Sequence, residues 1–309
     1  MMPFFDAEAI ARLVPPPRAV AAIEAALRGG LDPAAGIARA SVPLPAGELL
    51  LMPAWSASHA GVKLASIAPG NAALGLPRIN AVYVLFDGVT LQPVALLDGS
   101  ALTTLRTPAV SVAAIRSRLG SEPLRLIVFG AGPQGRGHIS TLAAVATLST
   151  VDVVVRSPDR VDLAGGPPVN VLKAGSAEVA EALRAADVVV CATTARQPLF
   201  DSALLADRAI VVAIGSHEPH AREVDGQWCR RATVIVEDVA TALRECGDVV
   251  QAIGEGALSA DRLVPLKDAV GGTVDMSNGP LLFKGSGMAW QDLVVAEAVL
   301  ASFSGGVTI

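Results

Sequence analysis

The residues of this sequence able to do chemistry gather first around a glycine-rich turn. Gly130-Ala131-Gly132-Pro133-Gln134-Gly135 is a G-x-G-x-x-G, preceded by the apolar run LRLIVF and followed by a helix-compatible segment. In that setting Gly130 permits a tight turn, Gly132 lets the backbone approach a pyrophosphate, and Gly135 allows close contact between helix and strand. The helix start adds unpaired N–H groups and the positive end of a dipole. A dinucleotide is therefore expected, with Pro133 and Gln134 beside its phosphates. The next apolar run ends at Val155 and is followed by Arg156-Ser157-Pro158-Asp159-Arg160, without an acid at the strand tip to bind ribose hydroxyls. Arg156, Ser157 and Arg160 suit a 2′-phosphate, because a guanidinium matches phosphate oxygens in a fork. NADP(H) is the preferred expectation, and Asp159 keeps NAD(H) open. Thr193 and Thr194 after the fourth apolar run, and Ile214 and Gly215 at the end of the fifth, are further candidate cofactor contacts.

The elements that must position these residues follow from texture. Residues 6–28 read as helical, with Asp6 as cap and a break at prolines 15–17; short β-like runs follow at 38–44, 48–52, 61–67, 80–86 and 93–97. Ser100 is expected to cap a helix over 101–119. From residue 124 apolar runs at 124–129, 151–155, 169–172, 187–191, 210–214 and 233–236 alternate with helix-compatible segments. Strands buried on both faces with helical crossovers make a doubly wound parallel sheet. The fold class is thus α/β, a Rossmann-type domain over 119–287 plus a smaller α+β domain built from 1–118 and 288–309. A last helix, 288–300, is expected to pack back on the first domain.

Composition narrows the function. The 309 residues carry 24 Lys and Arg against 29 Asp and Glu, and only 4% are aromatic, so neither a phosphate-tracking surface nor a base-stacking platform is expected and nucleic acid is excluded as a partner. No apolar run is long enough to span a bilayer, and the opening MMPFFDAEAI has no basic stretch followed by an apolar one. A cytoplasmic protein without membrane contact is expected. Cys191, Cys229 and Cys246 have neither disulfide nor zinc-ribbon spacing. His217 and His220 form an H-x-x-H without a third ligand of obvious spacing, so no metal is expected.

Several stretches together resemble the ornithine cyclodeaminase/μ-crystallin family: Arg39 with SVPLP and LLLMPAW, GVKLAS around Lys63, LRTPAVS around Arg106, GAGPQG, GSHEPHAREVD and LLFKGSGMAWQDL. The likeness spans nearly the whole chain. It implies a substrate-binding and dimerisation domain around an inserted Rossmann domain, hence a homodimer, and Lys63 as the catalytic lysine. Arg39 on a strand and Arg106 on a helix then hold the carboxylate of a small imino or amino acid. Taken alone, each arginine reads equally as half of a surface ion pair, and a lone strand lysine as solvent-facing. A protonated imine accepts hydride far better than a neutral one, so a cation at Lys63 favours reduction.

One departure from the family pattern bears on the reaction. Where cyclodeaminases of the family are expected to carry an aspartate, this chain has His217. Members without the aspartate resemble ketimine reductases. The expectation is therefore an NAD(P)H-dependent oxidoreductase acting on cyclic ketimine acids, Δ1-pyrroline-2-carboxylate to proline and Δ1-piperideine-2-carboxylate to pipecolate. Ornithine cyclodeamination, an alanine or opine dehydrogenase, and a non-catalytic NADP-binding protein stand as alternatives. His217 reads equally as a proton donor titrating near neutrality and as an ordinary loop histidine.

Overall fold

The computed structural model describes residues 2–161, 163 and 166–305. In chain order its strands and helices are β1 (Phe4–Phe5), α1 (Ala7–Leu13), α2 (Pro16–Arg28), β2 (Ala40–Leu44), β3 (Gly47–Trp55), β4 (His59–Ile67), β5 (Ile79–Asp87), β6 (Pro93–Asp98) and α3 (Gly99–Ile115). There follow β7 (Leu124–Phe129), α4 (Pro133–Val145), β8 (Leu148–Val155), β9 (Asn170–Lys173), α5 (Ala177–Ala185), β10 (Val188–Cys191), β11 (Ile210–Ala213), α6 (Gly226–Arg231) and β12 (Thr233–Val236). The chain closes with α7 (Val239–Glu245), α8 (Gly247–Gly254), β13 (Leu263–Pro265), α9 (Leu266–Gly271), β14 (Leu281–Lys284) and α10 (Ala289–Gly305). Two compact units result, Met1–Val110 with Met288–Ile309, and Ser111–Gly287; the boundary falls inside α3, where the sequence reading put it after residue 118.

The first unit is a six-stranded sheet, ordered β1-β6-β5-β4-β3-β2, antiparallel except for the β1–β6 pair. Asp6 caps α1 as expected, its Oδ1 accepting from the Ala9 amide at 2.8 Å. The cap of α3 is Asp98 rather than Ser100. Asp98 Oδ1 accepts from the amides of Ser100 and Ala101, while Ser100 Oγ accepts from the Ala81 amide on β5. Helix α10 packs on β3, β4 and β5 and against α1 and α2. Side chains on a strand alternate between faces. On β4 the buried series is Gly61, Lys63 and Ala65, and on β5 it is Tyr83 and Leu85. The lysine therefore points to the covered side, opposite its apolar neighbours Val62 and Leu64.

The second unit is an eight-stranded, wholly parallel sheet ordered β13-β12-β14-β11-β10-β7-β8-β9. All six expected strands are present, and β13 and β14 are added. Strand β14, late in sequence, lies between β11 and β12. All four residues of β10, β11 and β14 are buried, as helix layers on both faces demand. One apolar core takes in Val189, Val211 and Leu282 from the strands with Trp228 and Val249 from α6 and α8.

Candidate active site

The glycines of the 130–135 turn divide their work in space. Gly130 has φ +103°, and a β-carbon there would come 2.5 Å from the Ala192 carbonyl oxygen. A β-carbon at Gly135 would overlap the Gly130 carbonyl oxygen, so only glycine lets α4 lie this close to β7. Gly132 differs: it has an ordinary φ of −73° and nothing within 4 Å of its β position. Gly132 is also the N-cap of α4 and supplies no side-chain acceptor, and Pro133 occupies the first turn. The Gln134 Oε1 beside them is buried without a hydrogen-bond partner. Open space at the middle glycine, an uncapped helix start and an orphaned amide oxygen fit the pyrophosphate of a dinucleotide. Helix α4 is held in place by His138, whose Nδ1 donates to the Gln134 carbonyl at 2.8 Å and whose Nε2 accepts from Ser111 Oγ at 2.9 Å. Burial draws the pKa of His138 down to about 4, so its imidazole is neutral. Arg156, Ser157 and Arg160 are exposed just beyond β8.

The loops beyond β10 and β11 carry a correction. Thr193 and Gly215 do not offer their donors outward. The Thr193 amide and hydroxyl donate to Glu223 Oε1 at 2.8 and 2.7 Å, and the Gly215 amide donates to Glu223 Oε2 at 2.7 Å. Thr194 is exposed, Ile214 is half-buried, and His217 and His220 lie exposed on the following turn.

In the first unit, charge is concentrated beneath α10. Lys63 is 3% exposed and its Nζ donates to Asp292 Oδ2 at 2.8 Å and to Thr103 Oγ1 at 3.2 Å. Thr103 passes its own proton to the Gly99 carbonyl at 2.7 Å, so its oxygen is free to accept. Arg106 donates from Nε to Asp292 Oδ1 at 3.2 Å and from Nη1 to Gln291 Oε1 at 2.6 Å. Asp292, fully buried, thus bridges both cations. Arg39 precedes β2 instead of lying within a strand, and it stands near enough for its charge to act on Lys63. Burial is the largest influence on Lys63; with the positive charges of Arg106 and Arg39 it outweighs Asp292 and brings the pKa down to about 8. The sites of Lys63, Arg106 and Arg39 therefore form one electrostatic group. An ammonium has three donors and a guanidinium five. One N–H of Lys63 and three of Arg106 remain after these bonds.

Chemistry of this kind, a buried lysine of lowered basicity beside arginines in one unit and a phosphate cradle in the other, now stands beside known proteins. The model of the ornithine cyclodeaminase/mu-crystallin family matches residues 16–306. The chain belongs to this family. Among relatives of the cyclodeaminase/mu-crystallin member is a Delta(1)-pyrroline-2-carboxylate/Delta(1)-piperideine-2-carboxylate reductase of Azospirillum brasilense, 34% identical, covering 96% of this chain and 94% of its own. The ketimine reductase mu-crystallin of Mus musculus is 30% identical over 84% of this chain and 82% of its own. The fold is shared with a Thermococcus litoralis Delta(1)-pyrroline-2-carboxylate reductase solved in complex with NADH and L-proline, at a TM-score of 0.87 and 23% identity over 99% of each chain.

Sequence reasoning missed Asp292, Gln291 and Thr103 in the first unit and Glu223 in the second. A signal for Asp292 was present: the acid stands in AWQDLVVAEAV, a helix apolar on nearly every side, where a carboxylate must find a cation.

Proposed function

We propose that this chain is a nicotinamide-dependent reductase of cyclic ketimine acids, forming L-proline from Δ1-pyrroline-2-carboxylate and L-pipecolate from Δ1-piperideine-2-carboxylate. The observation that carries the reading is the buried Lys63–Asp292–Arg106 bridge, seen in a chain 34% identical to a reductase named for both substrates.

In this reading Arg106 and Arg39 take the substrate carboxylate, Arg106 through the N–H groups that Asp292 and Gln291 leave free. Asp292 fixes the direction of both cations, so the anchored acid meets Lys63 in one orientation. Lys63 Nζ, protonated below about pH 8, turns its remaining N–H to the imine nitrogen and holds the proton that the product amine gains. The bound reduced nicotinamide supplies the hydride for the neighbouring carbon. Gly130, Gly132, Pro133, Gln134 and Gly135 would hold its pyrophosphate. Arg156, Ser157 and Arg160 would read a 2′-phosphate, making NADP(H) preferred over NAD(H). Thr194 and Ile214 remain available to the cofactor at the ends of the strands, while Thr193 and Gly215 serve through Glu223. His217 stands where an aspartate is expected in cyclodeaminases, which removes a carboxylate base and favours reduction over ammonia loss. The working form is proposed to be a cytoplasmic homodimer.

The test is a spectrophotometric screen of the purified protein with NADPH and NADH against five- and six-membered cyclic imino acids. Consumption of NADPH faster than NADH with both ring sizes is expected. Ammonia release from ornithine without net cofactor change would assign a cyclodeaminase, and ammonia-dependent reduction of pyruvate an alanine-type dehydrogenase.

A further inference from the structure

Three fully buried acidic and basic side chains outside the Lys63 cluster converge on the ends of β10, β11 and β14. Glu223, Asp248 and Lys284 are each 0% exposed. Glu223 takes the three donors of Thr193 and Gly215 described above. Its own amide and that of Val224 donate to Asp248 Oδ1, at 2.8 and 2.9 Å, so the backbone that bears the carboxylate is itself pinned. Lys284 Nζ lies 3.2 Å from Asp248 Oδ2 and donates to the carbonyls of Ser216 at 2.6 Å and Ala213 at 3.3 Å. The network ties the loop after β10 to the loop after β11 and both to the end of β14.

Its charges do not cancel. Burial pushes the Glu223 pKa up, against Lys284 and the Thr193 hydrogen bonds, which favour the anion; its partners are donors only, two N–H groups and one hydroxyl, an arrangement that a carboxylate satisfies and a carboxylic acid does not. Lys284 is held charged, since the carboxylates of Asp248 and Glu223 outweigh the effect of burial. Two carboxylates and one ammonium leave one net negative charge. Two arginines close to this network in sequence pair with carboxylates outside the trio, Arg222 with Glu255 at 2.7 Å and Arg196 with Glu218 at 2.9 Å. Replacing such a trio by apolar residues would cost a fold little, and often nothing. Buried charge of one sign at the carboxyl ends of parallel strands has its largest effect on a ligand whose own charge changes there.

We propose that the Glu223–Asp248–Lys284 network places a net negative charge behind the loops after β10 and β11 that makes this chain bind the oxidised, positively charged nicotinamide ring more tightly, relative to the neutral reduced ring, than an uncharged network would. Glu223 is thereby a positioning residue as well as a source of field: it orders the loops and favours the charge that the ring acquires when hydride leaves. This rests on the dinucleotide reading of the second unit.

The test compares dissociation constants of NADPH, by its fluorescence, and of NADP+, by calorimetry, for the wild type and for Glu223→Gln and Glu223→Asp. The Gln variant is expected to weaken NADP+ at least tenfold more than NADPH, and the Asp variant, which keeps the charge, to restore the wild-type ratio. Equal weakening of both forms by Glu223→Gln would leave only a loop-ordering role and overturn the electrostatic claim. Should Glu223→Gln fail to fold, Asp248→Asn, which retains the Oδ1 acceptor and removes one charge, must shift the ratio in the same direction, and an unshifted ratio overturns the proposal. Failure of the wild type to bind either form would instead refute the dinucleotide reading itself.

Discussion

Lys63 faces the covered side of β4, and burial rather than a missing partner draws its pKa to about 8. The value of kcat/KM, which reports groups of the free enzyme, is therefore expected to fall as pH rises through about 8, because the proton for the imine nitrogen is lost. Lys63→Ala should lower kcat/KM by about 10² to 10⁴, the usual share of a positioned proton donor. Lys63→Arg should move the alkaline fall upward, and an unchanged pH profile in that variant would remove Lys63 from proton delivery. His138 supplies a second residue-scale prediction with the opposite purpose. Its folded pKa of about 4 lies below the usual histidine value near 6.5, so the unfolded chain takes up a proton first on acidification. The stability this histidine contributes is full above pH 6.5 and is lost as pH falls toward 4, by about 3 kcal/mol in total. Urea unfolding of the wild type and of His138→Gln should show that slope only in the former. At this scale Lys63 and Arg106 were legible because whole motifs surround them, whereas the apolar setting of Asp292 showed only that its carboxylate needs a cation, and the fold was required to show that Lys63 and Arg106 supply it.

Among the elements, the start of α4 separates architecture from recognition. Gly132→Ala meets open space at an ordinary φ, so the free protein is expected to keep its melting temperature while its affinity for NADPH drops by tenfold or more. Gly135→Ala drives a methyl into the Gly130 carbonyl and should lower both stability and affinity. A Gly132→Ala variant that binds NADPH as tightly as the wild type would show that the turn does not approach a pyrophosphate. The strands of the parallel sheet were readable from continuous apolar runs, and β13 and β14 escaped for a physical reason. Leu263–Pro265 has three residues, and Leu281–Lys284 ends in a lysine whose burial depends on Asp248 and two carbonyls distant in sequence. The cap of α3 was misread because Asp98 and Ser100 both suit an N-cap, and the sheet partner Ala81 decided between them.

For the molecule as a whole, the change of texture near residue 124 announced two units, but nothing local could place their boundary within a continuous helix. The six-stranded sheet also carries an exposed apolar surface. Val42 and Leu44 are exposed on the face opposite Lys63, where Leu51, Leu64 and Val82 share one register across three strands, and β2 is exposed at every position. An apolar face of this kind suits a second copy of the chain. Light scattering should give about twice the 31.4 kDa of one chain, and Val42→Glu with Leu44→Glu should give the single mass; a wild-type monomer would contradict the dimer. The reaction itself is tested most directly by isotope. NADPH deuterated at the transferred position of the nicotinamide, mixed with Δ1-pyrroline-2-carboxylate and the protein, should yield L-proline carrying one deuterium at its α-carbon for each NADPH consumed. Proline without that deuterium, or NADPH left unconsumed, would contradict the account.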